Sequence, residues 1–366
     1  MRALIDKDIP FVQGVLEPFF DTVDYLPARE IDNAACRGAD VLAVRTRTRC
    51  DESLLHGTGI SLIVSATIGE DHVDREYLSR QGIAFANAPG CNACGVMQYV
   101  HTSVFVLAAR KGMDLRGKVF GVVGDGNTGE RVARLAEYLG FEVLRNDIDL
   151  SIGRPVVALE ELAARSDIIS FHVPLDDSTA GMLGESLLDR LKDGAVVINA
   201  SRGGVSDEAA LLGHRERLSG LILDVWNGEP SSVNRTAVDA ADIATPHIAG
   251  YSIEGKANAS TMIVRAIAAH FRFPALAGYR PELPARPSVS LQRGLLSDRS
   301  PFLEYMQRQC SLAERMQEVF PVMDIDRRFR EDTASFEKLR TSCGYRHEFS
   351  VPEYISGLAA VTGRIV

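Results

Sequence analysis

The chain has no long uninterrupted apolar run, no dense block of lysine and arginine, and no second cysteine pair to accompany the one it has. The first absence excludes a membrane-spanning helix, which needs about 20 predominantly apolar residues in succession. The second, with 40 Lys and Arg against 49 Asp and Glu and a formal net charge of −9, leaves no electrostatic footprint for nucleic acid or an anionic membrane. The third argues against a zinc ribbon. The 6 cysteines are scattered, and only Cys91 and Cys94, in Gly90-Cys-Asn-Ala-Cys-Gly95, are close. Reduced cysteines at a helix start, no metal and a cytoplasmic location are therefore expected, and Met1-Arg-Ala-Leu-Ile-Asp6 reads as a first strand rather than a signal peptide.

What is present is enough apolar residue, 46% of 366, to build more than one core. Over the first ninety or so positions, short apolar runs (Ala3-Leu-Ile5, Val41-Leu-Ala-Val44, Leu62-Ile-Val64, Ile83-Ala-Phe85) alternate with helix-length segments, the pattern of βα repetition and a parallel sheet. A long helix from about Gly95 to Lys111 leads into a second α/β unit with strands near Val143, Ile168, Val196 and Leu221. A helix over about Gly255 to Phe273 can cross back. Two α/β units bridged by two helices predict a cleft, with cofactor on one side and substrate on the other. Pro274, Pro281, Pro284 and Pro287 mark a linker. Beyond it, the stripe Leu303, Met306, Cys310, Ala313, Phe320 predicts an amphipathic helix, covered either by its own chain or by a second subunit.

The most informative stretch is Gly124-Asp-Gly-Asn-Thr-Gly129. It follows the apolar run Val119-Phe-Gly-Val-Val123, opens a helical pattern (Val132, Leu135, Ala136, Leu139), and precedes Asp147 by eighteen residues. Glycines there permit a tight strand-to-helix turn and close approach of a pyrophosphate, which the helix N-terminus binds, while the acid takes the ribose hydroxyls. Gly124, Gly126, Asn127, Thr128, Gly129 and Asp147 are thus candidate cofactor residues. A carboxylate at Asp147 repels a 2′-phosphate and favours NAD over NADP, although Arg145 stands two residues away. Asp125 puts an acid inside the phosphate loop, which costs affinity unless its side chain points to solvent.

Three later segments end strands with polar residues: Asn199-Ala-Ser-Arg-Gly-Gly204, Leu223-Asp-Val-Trp-Asn-Gly-Glu-Pro230 and Ala244-Thr-Pro-His-Ile-Ala-Gly-Tyr251. In a parallel sheet their ends share the ligand-binding edge. Oxidising an alcohol with NAD requires a base for the hydroxyl proton, a cation for the substrate anion and forming carbonyl, and a carboxylate to hold the base. His247, Arg202 and Glu229 supply one of each. Asp224 is placed to reach the nicotinamide carboxamide or its ribose.

In these three settings and this order, Arg202, Glu229 and His247 resemble the catalytic set of the D-isomer-specific 2-hydroxyacid dehydrogenase family. Further matching stretches are Val44-Arg-Thr46, Ala66-Thr-Ile-Gly-Glu-Asp-His-Val-Asp74, Pro89-Gly-Cys-Asn-Ala93, His247-Ile-Ala-Gly-Tyr-Ser-Ile-Glu-Gly-Lys256 and Phe336-Glu-Lys-Leu-Arg340, so the likeness spans nearly the whole chain. It implies an α/β protein with a Rossmann NAD-binding domain at 95–255, a flavodoxin-like substrate domain at 1–94 and 256–280, and a small α+β dimerisation domain at 281–366. The implied activity is NAD-dependent oxidation of a small phosphorylated 2-hydroxy acid at its 2-hydroxyl by a homodimer. Thr46, Thr67 and Tyr251 become substrate contacts, and Asp147, Asp224 and Gly250 cofactor contacts. Departures from the family pattern are Thr46 for Ser, Val173 for a cofactor-facing Thr, Asp125, and Thr128 for an apolar residue. Arg45, and Arg340 or Arg346 from a partner subunit, are candidates for the substrate phosphate. Alternatives are a 3-phosphoglycerate dehydrogenase, which more often carries a longer regulatory tail than the one ending Leu358-Ala-Ala-Val-Thr-Gly-Arg-Ile-Val366, and a non-catalytic module that senses NAD.

Overall fold

The computed structural model describes residues 1–285, 301–344 and 346–351. Pro287 and the run from Leu358 to Val366 lie outside the described residues. The chain divides into two compact units, the first formed by Met1–Asn92 and the segment from Ser252, the second by Ala93–Tyr251 and the described tail.

The first unit is a five-stranded parallel sheet in the order β2-β1-β3-β4-β5, with β1 Arg2–Asp6, β2 Thr22–Leu26, β3 Val41–Val44, β4 Leu62–Ser65 and β5 Ala84–Ala86. This is the flavodoxin-like order expected. Its apolar runs are continuous because both faces are covered. Ala3, Ile5, Val41, Ala43, Leu62 and Val64 pack with Ile263, Val264 and Ile267 of the Ile253–Phe271 helix. Their neighbours Leu4, Leu42, Val44 and Ile63 face a separate core with Leu55, Tyr77 and Leu78. Strand β2 has no apolar run to announce it. It is an edge strand that reads Thr-Val-Asp-Tyr-Leu and buries none of its residues fully, so half-solvated alternation replaces the expected signal.

The second unit carries six parallel strands in the order β11-β10-β9-β8-β6-β7, with β6 Val119–Val123, β7 Glu142–Asn146, β8 Ile168–Phe171, β9 Val196–Asn199, β10 Gly220–Leu223 and β11 Ile243–Ala244. The order reverses beside β6, so the glycine loop sits at the topological switch point, where doubly wound sheets bind ligands. Alternation again sorts two buried faces: Phe120, Val122, Ile168, Val196, Ile198 and Ile222 on one, Val123, Ile169, Val197, Leu221 and Leu223 on the other. The tail closes over this unit. From the Phe302–Val319 helix, Tyr305, Leu312, Ala313 and Met316 enter the same core as Tyr99, Val100 and Phe105 of the Ala93–Lys111 helix. Of the expected stripe, Ala313 and Phe320 are buried and Met306 packs against this core, but Leu303 is 75% exposed, and Tyr305 and Gln309 extend the buried face instead. Among the described residues no helix is long and apolar enough to cross a membrane.

Two histidines are expected to make the second unit acid-sensitive: His101 is fully buried, and His172 is half-buried with its ring Nδ1 enclosed. Burial pushes His101 down to about 4 and His172 down to about 3. In the unfolded chain both return to 6.5, so below that pH the unfolded state binds more protons and stability falls as pH falls. The expected slope is about 1.4 kcal/mol per pH unit for each histidine, from their ordinary value down to the depressed ones. Urea unfolding midpoints at about pH 7 and about pH 5 measure it, and a His172→Gln chain should show a shallower loss. An unchanged slope in that variant contradicts the assignment.

Candidate active site

The glycine loop is built by close approaches. Gly124 sits at φ +85°, where a Cβ would stand 2.7 Å from the His172 carbonyl oxygen, and a Cβ on Gly129 would stand 1.8 Å from the Gly124 carbonyl oxygen. Gly126 caps the Asn127–Leu139 helix without a side-chain hydrogen bond, and a Cβ there would meet nothing within 4 Å. A dinucleotide pyrophosphate therefore fits: the first helical N–H groups lack a side-chain cap, and the loop leaves room against its own backbone. Asp147, just past β7, joins the loop through Oδ2, which accepts from the Asp125 N–H at 2.6 Å, while Oδ1 accepts from the Asp149 N–H. Val173 lies half-buried against the loop, its Cγ1 3.0 Å from where a Gly124 Cβ would be.

Asp125 departs from expectation. Its side chain points inward rather than to solvent and is fully buried. Arg145 Nη1 donates to Oδ1 at 2.8 Å and Arg154 Nε to Oδ2 at 2.6 Å, while Arg154 Nη2 donates to the Asp125 carbonyl. Arg145 in turn bonds Glu137. The acid in the phosphate loop is thus met by two guanidiniums.

The three strand-end segments come together because β9, β10 and β11 are neighbours. After β9, the buried Asn199 shapes the turn that carries Arg202: its Oδ1 accepts from the Ser201 N–H and its Nδ2 donates to the Arg202 carbonyl. Arg202 Nη1 donates to the Ser201 carbonyl at 2.9 Å. After β10, Glu229 folds back so that Oε2 accepts from the Trp226 N–H, and Oε1 pairs with His247 Nδ1. Burial works to raise the Glu229 carboxyl, but the His247 charge and hydrogen bond, the Trp226 N–H and nearby Arg340 outweigh it and hold the group below its ordinary value. His247 and Glu229 keep 27% and 20% of their side chains exposed, enough for a ligand to reach them. His247 takes φ +54°, a left-handed conformation disfavoured for a residue with a Cβ, and its N–H donates to the Asp224 carbonyl at 2.7 Å.

Asp224 anchors this loop. Oδ1 accepts from Thr245 Oγ1 at 2.6 Å and the Ile248 N–H at 2.8 Å, and Oδ2 from the Ala249 N–H at 2.8 Å. The residue is 1% exposed, and burial pushes its carboxyl up. Gly250 and Tyr251 end the same loop, half-buried.

Sequence reasoning missed what holds the loop from the other side. Arg340 Nε donates to the His247 carbonyl at 3.3 Å, with its guanidinium over the Tyr251 ring. Arg346 donates to the carbonyls of Ile248, Ala249, Tyr251 and Gly95 and lies 3.6 Å from the Phe320 ring centroid. Asp326 accepts from the Ala244 N–H at the end of β11, and Arg330 ties that carboxylate to the Val238 and Ala241 carbonyls. Arg340 and Arg346, the alternative candidates for reaching a substrate phosphate from a partner subunit, are here each engaged with carbonyls of their own chain. Arg346→Ala should therefore lower kcat by about 10- to 100-fold through misplacement of His247, with little change in KM for an anionic substrate. A rise in KM alone would instead assign Arg346 to the substrate anion.

In the first unit, Arg45 is paired with the buried Asp6 at 3.0 Å and with Asp8 at 2.8 Å. Thr46 is exposed beside it, and Thr67 Oγ1 lies 2.7 Å from Ser65 Oγ. The Cys91/Cys94 pair gives no reactive thiol at Cys94, which burial pushes up to about 12.

Residues 93–249 match the family model of the D-isomer specific 2-hydroxyacid dehydrogenase NAD-binding domain. The chain is 38% identical to the erythronate-4-phosphate dehydrogenase of Chromohalobacter salexigens, over 96% of this chain and 92% of that protein. It is 40% identical to that of Bacteroides fragilis, over 74% and 80%. Among solved structures it is similar to an NAD-bound 3-phosphoglycerate dehydrogenase from Entamoeba histolytica (TM-score 0.65, 26% identity, 77% of this chain and 99% of that one). A D-lactate dehydrogenase from Aquifex aeolicus, complexed with NAD and lactic acid, is comparably close (TM-score 0.63, 25% identity, 78% and 100%).

Proposed function

This chain belongs to the D-isomer-specific 2-hydroxyacid dehydrogenases and, among them, to the erythronate-4-phosphate dehydrogenases, and from that premise we propose that it oxidises 4-phospho-D-erythronate to (R)-3-hydroxy-2-oxo-4-phosphooxybutanoate. That reaction is a step toward pyridoxal 5′-phosphate. The observation that carries the chemistry is the His247–Glu229 pair at the ends of adjacent strands, one strand from Arg202.

Bound NAD supplies the acceptor for the hydride that leaves C2. The residues do the rest. Glu229 is an acceptor held in its ionised range, so Nδ1 of His247 carries the proton and Nε2 is left to take the one from the 2-hydroxyl. Glu229 then faces an imidazolium, which stabilises the charge formed on the base. Arg202 holds the substrate carboxylate and the oxygen that becomes a carbonyl. Gly124, Gly126, Asn127, Thr128 and Gly129 take the pyrophosphate, Asp147 the ribose hydroxyls, and Val173, Asp224 and Gly250 the nicotinamide side. Thr46, Thr67 and Tyr251 contact the substrate, Arg45 is a candidate for its phosphate, and the protein works in the cytoplasm as a homodimer.

The test is NADH formation by the purified protein supplied with NAD and with 4-phospho-D-erythronate, 3-phosphoglycerate or D-lactate. The expected result is a kcat/KM for the erythronate phosphate at least about 100-fold above the others, since a site built for a particular hydroxyl and phosphate leaves its polar groups unpaired with the wrong acid. A preference for 3-phosphoglycerate or lactate overturns the substrate and keeps the family. NADH binding without turnover on any acid favours a binding module.

A further inference from the structure

The Asp125 carboxylate is the least expected group in the cofactor site, and nothing in the reaction uses it. It is fully buried, yet it stands in the loop that must accept a pyrophosphate. Its backbone is gripped at both ends by charged side chains: Asp147 Oδ2 takes its N–H at 2.6 Å, and Arg154 Nη2 donates to its carbonyl at 2.6 Å. Arg154 is therefore bound to the same residue as the acid assigned to the adenosine ribose. A guanidinium at that place is what binds the 2′-phosphate of NADP in sites that select it, and the planar fork of arginine suits a phosphate well. Here the fork is already occupied, with Nε on Asp125 Oδ2 at 2.6 Å and Nη2 on the carbonyl. Arg145 is more deeply placed, with 8% of its side chain exposed, and is held between Asp125 and Glu137.

We propose that Asp125 is a cofactor-selectivity residue: by binding Arg154 it withholds from a 2′-phosphate the guanidinium beside Asp147, so NAD is chosen both by the repulsion of Asp147 and by the sequestration of Arg154. Arg145 is the buried counter-charge that lets Asp125 remain in the loop, and it stays with Glu137 when Asp125 is neutralised. Arg154, with 36% of its side chain exposed, is the cation that can turn toward a ligand once the carboxylate is neutralised and only its bond to the Asp125 carbonyl is left. The proposal rests on the reading that this loop binds NAD.

The experiment measures dissociation constants of NADH and NADPH by protein-to-nicotinamide fluorescence transfer, and of adenosine 2′,5′-bisphosphate by displacement of NADH. It uses the full chain as parent, Asp125→Asn, Arg154→Gln and the double variant. Asp125→Asn keeps the shape and removes the charge. It is expected to lower the NADPH-to-NADH ratio of dissociation constants by about tenfold, the scale of one charge-assisted contact, and to tighten the bisphosphate in parallel. The double variant should return the ratio to that of the parent. An unchanged ratio in Asp125→Asn, or a gain that survives loss of Arg154, overturns the proposal.

Removing one partner of a buried pair can unfold a protein, so Arg154→Gln alone provides an independent readout. A guanidinium already withheld contributes nothing to NADPH, and the ratio should match the parent. A selective loss of NADPH in that variant shows that Arg154 was serving the 2′-phosphate all along and overturns the proposal. A parent that binds neither nucleotide refutes the cofactor reading itself.

Discussion

Replacing His247 with Asn should lower kcat by about 10²- to 10⁴-fold, the range spanned by a positioned general base, while NADH still binds with near-parental affinity. The basis is the pairing of Nδ1 with Glu229, which leaves Nε2 as the nitrogen that receives the hydroxyl proton. Glu229→Gln separates two roles. An amide accepts less strongly and can present its NH₂ to Nδ1, which disfavours the tautomer that leaves Nε2 bare. The expected loss is about 10²-fold or more in kcat, with KM changed less. Steady-state kinetics beside NADH titration checks both variants. A Glu229→Gln enzyme with parental kcat would show that the carboxylate only closes the turn through the Trp226 N–H.

The second large effect concerns the loop. Gly129→Ala drives a Cβ to 1.8 Å from the backbone oxygen of Gly124, and no side chain can move to relieve it. The expected cost is about 3 kcal/mol or more of stability, together with loss of NADH binding, because the turn and the helix N-terminus must part. Gly126→Ala is the control. Nothing of the protein lies within 4 Å of its added Cβ and its φ is −75°, so stability should stay within about 0.5 kcal/mol of the parent. NADH affinity should nevertheless fall, because the methyl group occupies the side from which a pyrophosphate approaches. Thermal unfolding and fluorescence titration of the two variants separate a folding glycine from a binding one. Unchanged NADH affinity in Gly126→Ala would place the phosphates elsewhere.

Much of this site was legible in the sequence because each part is local. The glycine loop is read from six residues and its flanks, and Arg202, Glu229 and His247 each sit within a few residues of an apolar strand end. Parallel topology alone then brings the strand ends to one edge. Other features were less accessible for physical reasons. Strand β2 is a half-exposed edge with no apolar run. In sequence Asp125 is a liability in a phosphate loop, because only three dimensions show Arg154, 29 residues on, turned back to meet it. Arg340, Arg346 and Asp326 hold the His247 loop and β11 from more than 80 residues away, and the sequence offers the two arginines only as phosphate ligands and gives no sign of these backbone partners. The tail helix and most of its apolar stripe are legible, all but the exposed Leu303. Its buried face includes the polar Gln309, whose amide donates to the Met113 carbonyl, so apolar spacing alone finds Ala313 and Phe320 but not the whole face.

The most direct test of the central claim is the fate of the C2 hydrogen. 4-Phospho-D-erythronate carrying deuterium at C2 is incubated with NAD and the purified protein, and the NADH formed is analysed by mass spectrometry. The account predicts that the deuterium is recovered in the dihydronicotinamide ring and that the His247→Asn protein forms almost none of this product in the same time. NADH without deuterium, or equal labelled product from the variant, would contradict it.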